Sequence, residues 1–506
     1  NPKAMNALDE KLNSKQIEYL TSLAGVGVAF KLICALSEGD DENILDSYSD
    51  LVSIGTIADI VSLTGENRTI VRHGIKKINS DTSFGISALK NAAGVGEKEL
   101  TSTSVAFSVV PRINAIGRIS RADKAFELLI SDNDDTAFQI AEEINDSNVL
   151  RQSLEQQITL EAEKQLQKYP EMAYDRVLVF DGEGWHGGVI GIVAARFVER
   201  FGKPCIVITS DGEESKGSGR SLEGFSLYDA INCASDLLTH FGGHTLAAGF
   251  GIKTKDIPEF RRRVNNFAKT VDMPFPKVNL DCKLRPDYIS ADLLPVISML
   301  EPFGAGNAQP MFGLFDMKLI GVQSIGNGKH VRLNLSRGDT TVQALKFGVS
   351  AEAFPYKKGD RLDLAVQLER NEYMGTVRIS IYVKDIRMSL TDDETFLNSV
   401  RLYEKVRRKD QLRKDEALLC LPDRKFVADV YRYIRDNGFY ENNTDVLCYR
   451  LGDDGSKACR VFLSIDILKE LGVFTVGENK NIIVNPEKKV DLDSSVLMNY
   501  LKSLCS

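Results

Sequence analysis

The chain has 506 residues, 43% of them hydrophobic and 26% charged, with a formal net charge of −8. That length accommodates about three or four domains of ordinary size, each with its own core. The acidic balance excludes a protein that coats nucleic acid nonspecifically, because neutralising phosphates takes clustered Lys and Arg, while a narrow basic channel stays compatible with it; no apolar run reaches the length of a membrane span, so no membrane partner is expected.

From residue 1 to about 140 the pattern predicts mostly helices with short connections. Residues 26–36 are apolar at helical spacing, residues 50–61 form an apolar stretch ending on a turn with Asp59 where it stops, and residues 103–110, rich in β-branched side chains, predict a strand feeding Pro111 and Arg112. Residues 141–169 predict a long polar helix whose apolar stripe is drawn by Leu150, Leu154, Ile158, Ala162 and Leu166 at four-residue intervals. Strands at 176–180 and 204–209 then alternate with helices at 189–201 and 227–238, which specifies a layered α/β domain.

Between about 279 and 387 the pattern turns to short β-type runs at 331–335, 341–347, 361–368 and 376–383. Turns such as Gly326-Asn327-Gly328 and Arg337-Gly338-Asp339 separate them, as in a small Greek-key barrel of OB type. Beyond about 390 stands a basic run, 405–414, read as a solvated helix face with DNA contact as the alternative, followed by helices near 425–435 and 465–471. The eight cysteines are scattered, without a C-x-x-C pair or zinc spacing, and several sit in apolar runs, as buried free thiols of a reducing cytoplasm do.

Three glycine-rich polar segments fall inside the α/β part. The loop Phe241-Gly242-Gly243-His244, followed by Thr245 to Phe250, sets a histidine among positions where small residues permit close ligand approach. A second loop, Gly217-Ser218-Gly219-Arg220-Ser221, offers backbone N–H groups, hydroxyls and a guanidinium, the inventory of a phosphate cage. The third, Trp185-His186-Gly187-Gly188 with Val189, Ile190 and Gly191, stands between a strand and a helix. His186 and His244 are read either as substrate contacts or as braces of their loops, and Trp185 as core.

In this order the three segments resemble the DHHA1 domain of the RecJ family, single-stranded-DNA-specific exonucleases of the DHH phosphoesterase superfamily. The resemblance extends upstream through Ala24-Gly25-Val26-Gly27-Val28-Ala29-Phe30, Gly55-Thr56-Ile57-Ala58-Asp59 and Pro111-Arg112-Ile113-Asn114-Ala115-Ile116-Gly117-Arg118, and downstream through Glu301-Pro302-Phe303-Gly304-Ala305-Gly306-Asn307 at the start of the OB-type part. It implies an α/β multidomain protein. Its parts are the C-terminal part of a DHH domain (1–140), a connecting helix (141–170), a DHHA1 α/β domain (171–275), an OB-type nucleic-acid-binding β-barrel (276–390) and a C-terminal α+β accessory domain (391–506).

The family departs from this sequence at one point. Its metals are held mainly by an aspartate-rich motif and by the Asp-His-His motif; the five histidines here include no adjacent pair, and the resemblance implies a start just downstream of those motifs. Asp59 is the remaining family ligand for Mn²⁺ or Mg²⁺, two ions in the complete enzyme; by position alone it reads equally as a helix cap. The family places a motif arginine near the 5′ phosphate, for which Arg112 is favoured, with Asn114 and Arg118 beside it and Ser218 and Arg220 opposite. Lys329, His330 and Tyr373 are candidates along a strand path. The activity implied for the complete enzyme is 5′-3′ hydrolysis of single-stranded DNA in recombination and repair, with a single-strand-binding protein and a helicase as family partners; this chain, a fragment lacking most of the metal ligands, is expected to be inactive alone. The alternatives are a DHH-type phosphodiesterase acting on short oligonucleotides or cyclic dinucleotides, and a noncatalytic nucleic-acid-binding protein.

Overall fold

A computed structural model describes residues 22–37, 39–119, 122–271, 273–274, 277–373, 376–389, 392–438, 444–452, 455–476 and 482–505. The chain divides into two compact units. The first comprises Asn1–Lys168, Arg176–Pro274 and Val296–Gln309, and the second Tyr169–Asp175, Phe275–Pro295 and Pro310–Ser506.

The first unit opens with helices α1 (Gly25–Leu36), α2 (Asp41–Ala58), α3 (Gly65–Ser80) and α4 (Phe84–Ala92). The strand expected at 103–110 is helical instead. Thr101 caps a turn at Ser102–Ser104, a π-helical segment follows at Val105–Val109, and α5 (Val110–Ile119) continues it. Val105 and Val109 are fully buried one turn apart, and packing against a helical core overrides their β propensity.

After α6 (Asp123–Leu129), the long helix α7 (Asp134–Lys168) packs on α4, α5 and α6 with its first half, and on β1 and α8 beyond. Its buried stripe differs from the one expected. Ala137, Ala141, Ile144, Asn148, Arg151, Glu155, Ile158 and Ala162 form it, at alternating spacings of four and three, whereas Leu150 is 50% exposed. A repeat of four drifts around a helix of 3.6 residues per turn; alternation of four and three stays on one face.

The α/β part contains β1 (Leu178–Glu183), α8 (Ile190–Phe201), β2 (Cys205–Asp211), β3 (Glu214–Arg220), α9 (Leu227–Asn232), β4 (Leu238–His244), β5 (Ala247–Lys253) and α10 (Ile257–Lys269). Strand order is β1-β2-β3-β5-β4, parallel between β1 and β2 and antiparallel elsewhere. The helix expected to run to residue 238 stops at Asn232, and Leu238 already begins β4. The segments read as loops at 217–221 and 241–250 are largely strands, because their glycines serve strand packing as well as turns.

In the second unit, β6 (Cys282–Lys283) joins β7 (Phe312–Ile325), and β7, β8 (His330–Arg337), β9 (Thr340–Lys346), β11 (Thr376–Met388) and β10 (Arg361–Tyr373) close on one another through the β10–β7 pairing. This closed five-stranded barrel is the OB-type element expected. Helices α11 (Asp393–Arg407), α12 (Lys414–Cys420), α13 (Arg424–Asn437), α14 (Thr444–Arg450) and α15 (Ala458–Glu470), the hairpin β12–β13 (Phe474–Val476, Ile482–Val484) and α16 (Val496–Cys505) follow around a core that includes Val430, Ile467 and Phe474. The basic run is no single solvated face: it ends α11, turns and begins α12, with Lys405 paired to Glu416, Arg407 to Asp466 and Arg408 to Asp410.

Candidate phosphate-binding site

Strand alternation on β3 builds the centre of the site. Ser215, Gly217 and Gly219 face inward, where the Phe250 ring covers Gly217 and Leu227 with Ile206 crowds Gly219, so Lys216, Ser218 and Arg220 point to the other face. Across the sheet, Arg220 aligns with Ala247 and then His244, Ser218 with Gly249 and Gly242, and Lys216 with Gly251 and His240. Cross-strand partners share a face. The middle strand therefore contributes only Ala247, Gly249 and Gly251 to that face, a floor of near-bare backbone about 10 Å wide between β3 and β4. His240 lies over Gly251, since a Cβ there would fall 2.4 Å from its Cε1; the floor at Gly249 is exposed.

Helix α8 begins against the β3 wall. A Cβ on Gly191, in its first turn, would lie 2.9 Å from Ser218 Oγ and 3.1 Å from Arg220 Nη2, so glycine lets the helix start approach both groups. Arg220 Nη1 donates to Ser218 Oγ at 3.3 Å and to the Gly219 carbonyl at 2.8 Å. Burial, and secondarily the charge of Arg118, holds the Arg220 pKa below the usual guanidinium range. A hydroxyl, a partly desolvated guanidinium and a helix N-terminus together favour an oxyanion.

The loop before α8 brings in Arg118 and His186. Arg118 is exposed at the end of α5, and its Nη1 donates to the Gly188 carbonyl at 3.2 Å. His186 is half-buried, and its Nδ1 accepts from the Gly188 N–H at 3.1 Å, a bracing contact. His244 is exposed on the outer strand, with Nδ1 accepting from the Leu246 N–H at 3.4 Å. Trp185 is core: it is 5% exposed, and its Nε1 donates to Glu161 at 2.6 Å.

Arg112 is turned elsewhere. Its Nε donates to Asn145 Oδ1 at 3.0 Å and its Nη1 to the Ser108 carbonyl at 2.6 Å, and burial depresses its pKa. Asn114 is exposed and, with Arg118 and Arg151, lines an apolar cavity of about 420 Å³ whose walls include Phe107 and Phe303. The turn at Gly304–Asn307, closed by reciprocal backbone bonds of 3.0 and 3.1 Å, belongs to this first unit. Ser102 Oγ holds the Phe303 carbonyl at 2.7 Å and the Leu63 N–H holds that of Ala305 at 2.7 Å, so Phe303 and Gly304 end as cavity wall.

Asp59 caps the C-terminus of α2, exposed, its N–H bonded to the Gly55 carbonyl at 3.0 Å. The next residue, Ile60, has φ 57°, a conformation costly for a β-branched side chain. Among the described residues no three His, Cys, Asp or Glu side chains gather where they could hold a metal ion. The described donors thus do not fit a two-cation centre.

On the barrel, His330 accepts at Nδ1 from the Gly348 N–H at 3.1 Å and meets the Phe347 ring edge-on at 4.7 Å. Phe347, 52% exposed, stacks on Tyr382 with centroids 5.5 Å apart. Lys329 is exposed in the preceding turn. The Tyr373 side chain lies outside the described residues. Phe347 and Tyr382 went unnoticed in the sequence because each is one aromatic in an ordinary strand run. Arg151 was missed too, although three polar residues at core spacing in α7 were the available signal.

The fold defines a class: a mixed parallel and antiparallel α/β domain in a chain that also carries a closed OB-type barrel. Residues 172–270 match the DHHA1 domain and residues 280–385 the RecJ OB domain. The single-stranded-DNA-specific exonuclease RecJ of Bacillus subtilis is 34% identical over 376 residues, which cover 72% of this chain and 47% of that protein. RecJ of Escherichia coli is 30% identical over 392 residues, covering 72% and 67%. Crystal structures of Thermus thermophilus RecJ with Mg²⁺ and with Mn²⁺ superpose with TM-scores of 0.58 and 0.59 at 30% and 31% identity, over 68% of this chain and 52% and 50% of those chains. The chain belongs to the RecJ family. It spans about half the length of the Bacillus and Thermus relatives.

Proposed function

We propose that this chain serves 5′-3′ exonucleolytic hydrolysis of single-stranded DNA in recombination and repair, and that the trough on β3, β5 and β4 holds the strand's 5′ phosphate. The observation that carries the reading is the approach of Ser218 and Arg220 to the start of α8 at Gly191. Arg118, next to the Gly188 carbonyl, is the further guanidinium assigned to that phosphate, His244 faces the strand, and Arg112 and His186 brace the elements around it. The Phe347–Tyr382 stack offers bases a platform, with Lys329 and His330 beside it.

Asp59 would supply one carboxylate to Mn²⁺ or Mg²⁺, with the remaining ligands coming from outside the described residues. A single-strand-binding protein and a helicase would deliver the single strand, and the cytoplasm, where free thiols persist, is the proposed location. No helix among the described residues is long and apolar enough to cross a membrane. The domain division at about 140, 170, 275 and 390 is retained as part of this reading.

The test compares matched 5′-phosphate and 5′-hydroxyl oligonucleotides. Arg220→Ala should weaken binding of the phosphorylated strand by about 1.5–3 kcal/mol, the range for a hydrogen bond to a charged group. The hydroxyl strand should lose much less; equal losses would remove Arg220 from the site.

A further inference from the structure

We propose that Arg151 is a substrate-binding residue that takes the first internal phosphate of a single strand whose 5′ end lies at Ser218 and Arg220. The proposal rests on the 5′-end reading above and adds a second phosphate position to it.

Arg151 sits in the middle of the buried stripe of α7, where an apolar side chain would be expected. A buried guanidinium is retained only with partners. Its Nη2 donates to Asn148 Oδ1 at 2.9 Å and its Nη1 to Glu155, a carboxylate that is 1% exposed and is shared with Arg196 of α8. Those two bonds leave part of the guanidinium's five-donor fork for another acceptor. Arg151 also lines the cavity that Asn114 and Arg118 line.

Charge points the same way. Arg118 acts as a like charge on both Arg151 and Arg220, and Arg196 acts so on Arg151. The carboxylate opposing this group is that of Glu155, already divided between two arginines. Clustered guanidiniums repel unless anions join them, and Arg118, which lines the cavity with Arg151 and reaches the Gly188 carbonyl before α8, connects the two phosphate positions. Because Asn148 and Glu155 fix the fork beforehand, little side-chain freedom is lost on binding.

The test uses the full 506-residue chain in chelator, with binding read by fluorescence anisotropy. The strands carry a 5′ phosphate or 5′ hydroxyl, and a natural or a neutral methylphosphonate linkage at the first or the third internal position. Neutralising the first linkage should weaken binding to the unmodified protein at least five-fold, and neutralising the third should have less effect. Arg151→Gln should bind strands with natural and neutral first linkages equally, while still preferring a 5′ phosphate; Arg151→Lys, which keeps the charge without the fork, should fall between. The proposal is overturned if the unmodified protein ignores the first linkage, a result that needs no variant to fold, or if Arg151→Gln keeps the full sensitivity. Absence of any 5′-phosphate preference in the unmodified protein would instead sink the 5′-end reading, with the linkage comparison still deciding Arg151.

Discussion

Arg220 and His244 stand at the two ends of one cross-strand row, with Ala247 between them. The width of the trough therefore depends on one small side chain. Ala247→Leu should fill it and lower affinity for 5′-phosphorylated single strands at least ten-fold, about 1.4 kcal/mol or more. Ala247 is half-buried, with its side chain on the trough face away from the core, so thermal stability should move by no more than about 1 kcal/mol. Unchanged binding in a folded variant would show that the strand does not lie there.

Arg112 should behave as a brace. Arg112→Gln leaves Asn145 and the Ser108 carbonyl without their donor, so urea denaturation should report a loss of about 1–3 kcal/mol. Discrimination between 5′-phosphate and 5′-hydroxyl strands should persist. Intact stability with lost discrimination would return Arg112 to the phosphate.

The bond from Trp185 to Glu161 links stability to pH. This hydrogen bond is the largest cause holding the Glu161 carboxyl below its usual range. A carboxyl depressed on folding contributes stability that is present above its unfolded value, about 4.3, and is lost as pH falls through the folded value. Trp185→Phe should therefore show a pH-dependent deficit of about 1 kcal/mol at neutral pH that shrinks below about pH 4, over a constant packing loss. A deficit independent of pH would refute this role for the bond.

The exposed Phe347 should matter for strands and little for the fold. Phe347→Ala should cost about 1–3 kcal/mol of single-strand affinity, the range for one base stacked on an aromatic ring. The salt dependence of binding should stay the same, because no phosphate contact is removed. A changed salt slope with unchanged affinity at low salt would place the strand elsewhere.

Residue patterns by themselves determined the α/β alternation and the OB barrel with its turns, and they singled out Ser218, Arg220 and His244 as candidates. Those signals are local: period-two runs, punctuating glycines and short motifs survive in a linear reading. Only the tertiary structure decided which partners the motif residues meet. Arg112 and Arg118 lie six positions apart in one motif, yet one is bonded into the helical packing and the other reaches the loop before α8. The glycines at 217 and 219 read as a phosphate loop because a flexible loop and a strand covered by Phe250 and Leu227 require the same small residues. Residues 103–110 read as a strand because β-branched side chains suit a sheet, until the helical core buries them one turn apart. Asn148, Arg151 and Glu155 fall outside the apolar stripe that the sequence draws on this helix; the way α5 and α8 pack on α7 buries them and brings Arg118 and Arg196 to meet them, since burial belongs to the assembled layers and not to any one segment.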